Sequence, residues 1–371
     1  MQRPGSAEEV AALLAEGRRA RPVGGATKLD WGALGQPPEV EISTGRLDAL
    51  VEHNEGDLTA VLGAGIPLAR AQEAFVRKGQ RLCLDPPDGH GRATIGGIVA
   101  TGDSGPLRHR YGAARDLILG VRVALPDGTV ARAGSKVIKN VAGYDLAKLM
   151  CGALGTLGVV TEVTMRLHPL PEMSISAVGR GSDPALLVDA ARAVARRPLE
   201  LDGLDLRWDG PDAGGAVLAR AVGRAAGEAA ERTGAVMREA GLQSELHEDD
   251  EAIWAEQRER QRAGSGREAV VRVSALPAAL EHVLAAAPSA VVRAGLGLSW
   301  LRIDADPSAL EALRARLHPA ACVLLDAPAQ MRRAVDPWGV GVGSELSLLR
   351  RVKERFDPAG VCNPGRYAGG L

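Results

Sequence analysis

From Val159 to Leu167 the side chains alternate. Val159, Thr161, Val163, Met165 and Leu167 fall on one side; Val160, Glu162, Thr164 and Arg166 fall on the other. A period of two predicts a half-buried β-strand. The strand is fed by Gly152-Ala-Leu-Gly-Thr-Leu-Gly158. Before that comes a short helical piece with Leu146, Leu149 and Met150, and a polar, basic segment with Lys136, Lys139 and Asn140. Glycines packed this densely mark tight turns or close backbone approach. The stretch reads either as a glycine turn offering a strand edge to a flat ligand or as an ordinary helix–turn–strand connection.

The rest of the first half alternates strands and helices. The N-terminus predicts an amphipathic helix with Ser6 as N-cap and Glu9 at the capping-box position. Short strands are predicted at Val40–Thr44 and Leu58–Pro67, and a helix at Leu68–Lys78. Gly63-Ala-Gly65 lacks the third glycine of a dinucleotide fingerprint and runs into Pro67, which excludes a Rossmann motif. Asp85–Gly105 reads as a long irregular loop around the short apolar piece Ile98-Val99-Ala100. A strand at Val121–Leu125 turns at Pro126-Asp-Gly-Thr129 into a return strand.

Two prolines in His168–Pro171 mark a linker. Beyond it the chain is rich in Ala, Arg and Glu. Strands are predicted at Ser174–Val178, Ala269–Ser274, Leu298–Asp304 and Cys322–Leu325. Helices are predicted at Pro184–Ala195, Ala216–Ala240, Ala278–Ala286 and Pro307–Leu317. The acidic run Glu248–Glu251 reads as a helix N-terminus, where carboxylates suit the dipole, or as a metal site. The tail helix Ser344–Phe356 carries Leu346, Leu349, Val352 and Phe356 on one stripe and stops at Asp357-Pro-Ala-Gly360.

Composition changes this picture only by exclusion. Of 371 residues, 46% are hydrophobic and 25% charged, as in globular proteins. A net charge of -1 gives no electrostatic case for nucleic acid, and 3% aromatic residues leave little for base stacking. No apolar run approaches the ~18 residues of a membrane span, and the N-terminus has no apolar signal core. Cys83, Cys151, Cys322 and Cys362 are far apart, so neither zinc nor a disulfide framework is indicated; a reducing, cytoplasmic setting follows.

The chemistry sits in the loops. Gly24-Gly-Ala-Thr-Lys28 offers backbone amides, a hydroxyl and a cation, which suits phosphate oxygens or, equally, a surface turn. It is not a Walker loop. Thr94, Gly96, Gly97, Thr101 and Ser104 offer hydroxyls and little bulk, as a phosphorylated or polyhydroxylated ligand requires. His90 is expected to be exposed. Arg108, His109 and Arg110 form a base-and-cation cluster that is either catalytic or a surface loop.

Four segments together resemble the FAD-binding PCMH-type family of vanillyl-alcohol oxidase and p-cresol methylhydroxylase. They are RPVGGATKLDWG at 21–32, the stretch 85–128 with ATIGGIVATGDSGP, KNVAGYD…GALGTLG, and FDPAGVCNPGRY at 356–367. Within that family they are similar to the D-lactate and glycolate dehydrogenase branch, and there to the FAD-binding subunits of glycolate oxidases. The resemblance implies an α+β fold in which two FAD-binding subdomains (1–170) carry an α+β cap (171–330), with the tail (331–371) returning to the FAD domain. It implies that Gly24, Gly25, Ala26, Thr27 and Lys28 surround the pyrophosphate. It places Pro86, Thr94, Ile95, Gly96, Gly97, Thr101 and Ser104 along the ribityl and pyrophosphate path. Gly155, Gly158, Val159, Val160 and Asn363 would meet the cofactor as well.

Three departures refine this. The glycine loop is GGATK, without the histidine that attaches flavin covalently in many members, so FAD is expected to be non-covalent. The His-rich HxGDGN-type metal motif of the catalytic subunits is missing, only His282 and His318 remaining after residue 250, so no metal is expected. Ala153-Leu154 stands where those subunits carry Ser-Glu. The resemblance thus implies a subunit working beside a catalytic FAD-linked glycolate oxidase subunit and an iron–sulfur subunit on a small 2-hydroxyacid. Such a complex would be cytoplasmic or peripheral to the inner membrane. The alternatives are a stand-alone FAD-dependent dehydrogenase and a scaffold subunit with structural FAD.

Overall fold

The computed structural model describes residues 1–135, 145–339 and 344–371. Lys136, Lys139, Asn140 and Tyr144 lie outside the described residues. The chain forms two compact units.

The first unit comprises Met1–Ser104, Gly112–Leu170 and Val340–Leu371. Ser6 Oγ accepts from Glu9 N at 3.1 Å, and the Glu9 carboxylate returns to Gly5 N at 2.7 Å, so the helix Ala7–Ala15 is capped from both sides. Its buried face, Val10, Ala11 and Leu14, packs with Val40, Ile42, Val159, Val361 and Cys362. Strands β1 (Ala20–Val23) and β2 (Val40–Ser43) pair in parallel. The tail joins them, Cys362 bridging Ala20 in parallel.

Strands β3 (Leu50–Asn54), β4 (Thr59–Gly63), β6 (Ile118–Ala124), β7 (Val130–Gly134) and β8 (Val159–Arg166) form an antiparallel sheet of order β3-β4-β8-β6-β7. Short strands β5 (Gln80–Arg81) and β9 (His168–Pro169) pair beside it. Burial along β8 alternates as the sequence predicts, with Thr161, Val163 and Met165 inward. Asp85–Gly105 is not irregular throughout. Ile95–Thr101 is a helix, because Thr94 caps it through Gly97 N and Gly102 closes it at φ 63°.

The second unit comprises Gly105–Tyr111 and Pro171–Gly339. Its strands are β10 (Ser174–Gly181), β11 (Leu201–Trp208), β12 (Gly215–Val222), β13 (Gln243–His247), β14 (Glu268–Ser274), β15 (Ser289–Arg293), β16 (Leu298–Asp304) and β17 (Ala321–Asp326). They make one antiparallel sheet of order β13-β10-β12-β11-β15-β16-β14-β17. Helices Pro184–Ala195, Ala226–Glu239 and Pro307–Leu317 share one core with Leu204, Leu206, Val217, Val271, Val292 and Leu301. Helix Glu251–Glu259 sets Trp254 against Val178, Ala216 and Leu218 in a second cluster.

The predicted helix Ala216–Ala240 is therefore two elements. Gly215–Val222 is a buried strand, and only Ala226–Glu239 is helical. Alanine-rich strands buried on both faces carry no period-two signal. The acidic run stands at a helix N-terminus as expected, with Glu251 in the first turn. Asp250 stands at the N-cap position of its helix but does not cap it. Buried at 2% exposure, it accepts from Ser176 Oγ at 2.7 Å and from Arg220 Nη2 at 2.7 Å. Among the described residues no group of His, Cys, Asp or Glu is arranged to hold a metal ion. Likewise no helix among them is long and apolar enough to cross a membrane.

Candidate functional site: a backbone-lined cleft

Four separate segments of the first unit wall a cleft of about 950 Å³, counting the space open to solvent. They are the Gly24–Lys28 loop, the helix Ile95–Thr101 with its cap Thr94, the turn and strand Ala153–Val160, and the tail at Asn363 and Arg366.

The glycines of the first loop let it pack against the start of the helix. A Cβ on Gly25 would lie 1.7 Å from the Arg92 carbonyl oxygen, and one on Gly24 2.3 Å from Thr94 Oγ1. No larger residue fits either place. Gly96 likewise backs onto Ala64, whose Cβ would be 2.6 Å from an added one. Close packing behind the loop leaves its main chain facing the cleft.

Several backbone conformations here are unusual. Ala26 (φ 57°), Leu154 (φ 52°) and Asn363 (φ 41°) are non-glycine residues in the left-handed region, and all three line the cleft. For Ala26 and Leu154 this costs about 1–2 kcal/mol, so the fold holds these two against a local preference, whereas Asn363 is of a type that adopts the region readily. Left-handed residues gathered at one place are a feature of ligand sites.

The polar groups sort into two kinds. Lys28, 8% exposed, is committed to the protein: Nζ lies 3.0 Å from Asp103 and donates to Pro87 O at 2.9 Å. Thr94 Oγ1 accepts from Gly97 N, and Thr101 Oγ donates to Gly97 O at 2.8 Å, so both hydroxyls brace their helix. By contrast, among the described residues no hydrogen-bond acceptor faces the amides of Gly25, Ala26 or Gly155. Donors of this kind in a small-residue cleft fit the oxygen-rich diphosphate and ribityl chain of a flavin dinucleotide.

Of the residues singled out in the sequence, the cleft brings together Gly24, Gly25, Ala26, Thr27, Lys28, Thr94, Gly96, Gly97, Thr101, Gly155, Gly158, Val159, Val160 and Asn363. Pro86, Ile95 and Ser104 are buried and do not line it. Ser104 instead follows Asp103 directly, its amide donating to that carboxylate at 2.9 Å. Arg21, Trp31, Met150 and Arg366 line the cleft without having been anticipated. Arg366 stands two residues beyond Pro364 in the tail motif, so its position was a readable signal; its Nη1 donates to Ala33 O and Leu34 O.

The Arg108–Tyr111 cluster is a short helix of the second unit and not part of this cleft. Tyr111 Oη donates to the fully buried Asp202 at 2.9 Å, and Arg110 pairs with Glu200 and Asp202. Burial lowers the pKa of His109, and the neighbouring Asp202 only partly offsets it. His90 is exposed at φ 61°. His282 bonds Arg316 O, and His318 is exposed.

The cleft, its loops and its returning tail have the chemistry a flavin dinucleotide requires, and comparison with known proteins finds an FAD binding domain in the chain. Residues 2–134 match the family model of the FAD binding domain. The first third of the chain thus carries an FAD binding domain, and FAD is the cofactor. It is 42% identical over 127 residues to the glycolate oxidase subunit GlcE of Escherichia coli, covering 34% of this chain and 36% of that one. It is 36% identical over 179 residues to the mitochondrial D-lactate dehydrogenase [cytochrome] of Arabidopsis thaliana, covering 47% and 31%. The chain thus spans about a third of the length of each of these two relatives. A third similarity is nearly full-length: 29% identity to an uncharacterized FAD-linked oxidoreductase of Mycobacterium tuberculosis, over 98% of this chain and 89% of that one. Among solved structures, alkyldihydroxyacetonephosphate synthase superposes with a TM-score of 0.72 at 15% identity, over 97% of this chain and 76% of that one. That likeness concerns the fold.

Proposed function

We propose that this chain binds FAD without a covalent bond in the cleft of its first unit and acts as the FAD-binding subunit of a 2-hydroxyacid dehydrogenase complex of the glycolate oxidase kind. Its partners would be a larger catalytic flavoprotein and an iron–sulfur subunit that receives the electrons. Such a complex would work at the cytoplasmic side, touching the inner membrane only through other subunits. The residues that would hold the cofactor are the Gly24–Lys28 loop, Thr94, Gly96, Gly97 and Thr101, Gly155–Val160, and Asn363. Pro86, Ile95 and Ser104 would support them from behind.

The observation that carries this reading is the lining itself. Main chain from four segments meets in one cleft, and no His, Cys or Tyr stands among its described lining residues. A covalent flavin link needs a nucleophilic side chain, so this lining supports reversible binding. Bound FAD would supply the hydride acceptor; the chain's own part is to hold it and exclude water. The similarity to the glycolate oxidase subunit supports the complex.

The nearly full-length similarity to an FAD-linked oxidoreductase favours a second reading, a stand-alone FAD-dependent dehydrogenase. Anaerobic addition of glycolate and D-lactate to the purified yellow chain separates the two. No bleaching alone, with bleaching once the partner subunits are added, is expected for the subunit. Bleaching of the isolated chain would overturn that role in favour of the stand-alone enzyme.

A further inference from the structure

The turn that lines the cleft is held from the tail, carbonyl by carbonyl. Asn363 Nδ2 donates to Leu154 O at 2.8 Å, and Lys353 Nζ donates to Thr156 O at 2.6 Å. Lys353 also reaches Cys362 O at 3.0 Å and Asp357 Oδ2 at 2.6 Å, so all three ammonium protons are used. Asp357 is 2% exposed and accepts in turn from Val361 N and Cys362 N, at 2.9 and 2.7 Å. Asn363 is fixed by its own amide, which donates to Ala20 O at 2.8 Å. The tail is therefore a closed hydrogen-bonded strap, and two of its side chains end on two carbonyls of one turn.

That arrangement has a directional consequence. In a trans peptide the C=O and the following N–H point in opposite directions. Anchoring Leu154 O on Asn363 sets the direction of the Gly155 N–H. Gly155 is buried and lines the cleft, and its amide has no acceptor among the described residues. The strap also holds Leu154 at φ 52°, which a free turn would leave.

We infer that Lys353 and Asn363 are positioning residues of the cofactor site. They act through the Thr156 and Leu154 carbonyls to aim the turn's amides at the FAD, and this rests on the reading of the cleft as the FAD site. The tail is then part of the binding site, with Lys353 acting on the ligand without touching it. The Asp357 carboxylate keeps the Lys353 ammonium in place for that task.

The test uses the full chain as K353M, K353R and N363A, with three readouts: FAD dissociation constant, visible circular dichroism of bound flavin, and thermal midpoint of the FAD-free protein. K353M and N363A are expected to bind FAD roughly tenfold more weakly and to alter the flavin dichroism, with K353R recovering most of both. The FAD-free midpoint of N363A should fall only modestly, by the strain of Ala at φ 41° and the lost bond to Leu154 O, and by less than the affinity loss. If K353M leaves Asp357 unpaired and does not fold, N363A carries the test, since it keeps that pair. Unchanged affinity and dichroism in the folded variants would overturn the inference. So would an affinity loss matched by an equal loss of FAD-free stability, which marks a purely structural role. A parent chain that binds no FAD would instead overturn the reading of the cleft.

Discussion

Lys28 Nζ lies 3.0 Å from the Asp103 carboxylate, and both side chains are almost wholly buried, at 4% and 3% exposure. The pair joins the Gly24–Lys28 loop to the segment just past the helix Ile95–Thr101, so two walls of the cleft are tied by one ion pair. A buried pair gains little over an apolar substitute, but removing one partner leaves a stranded charge. Asp103→Ala should lower unfolding free energy by about 3–5 kcal/mol, measured by urea denaturation of the FAD-free chain. A loss under 1 kcal/mol would show that Lys28 has another exit to water.

Gly25 tests the loop's packing. A methyl group there meets the Arg92 carbonyl at 1.7 Å, and backbone cannot move aside as a side chain can. Gly25→Ala should displace the loop and reduce FAD retention at least tenfold, read from the flavin-to-protein absorbance ratio after gel filtration. Full retention would place the cofactor away from this loop.

Asp205 in the second unit has its pKa pushed up to about 6 by full burial, against the pull of Arg293 and Gln257. The folded carboxyl holds its proton more tightly than the unfolded one, whose pKa is about 3.9. Its contribution to stability is therefore complete below that value and is lost as pH rises through about 6. The stability of the parent relative to Asp205→Asn should fall between pH 4 and pH 7, measured from urea midpoints of both proteins. A difference that is flat or rises over that range contradicts the assignment.

His109 carries a second pH signature. Burial holds its pKa below the usual histidine value, while Asp202 pulls the other way. Its imidazole should titrate below 6.5 by NMR, and Asp202→Asn should move it lower still. Upward movement in that variant would mean that the carboxylate does not act on the ring as the geometry indicates.

Some of this was readable from the chain and some was not. The alternation of β8, the Ser6 cap and the Pro184–Ala195 and Pro307–Leu317 helices are written in local periodicity and capping residues. Most residues singled out in the glycine loops do meet in one cleft, because the lack of side chains that makes a loop conspicuous also lets segments close on one another. Strand Gly215–Val222 was missed because GAVLARAV is buried on both sides and reads as helix. Lys28 looked like a free cation; its partner lies 75 residues away, a distance no motif spans. Leu154 and Ala26 carry no local sign of a positive φ, since tertiary bonds such as Asn363 to Leu154 impose it.

The measurement that bears most directly on the central claim is the visible absorption spectrum of the purified chain, taken before and after acid precipitation. A yellow protein with the two flavin bands is expected, with all the colour released to the supernatant as FAD. Colour retained in the pellet would contradict reversible binding. A chain that stays colourless after incubation with FAD would contradict the cleft as a cofactor site.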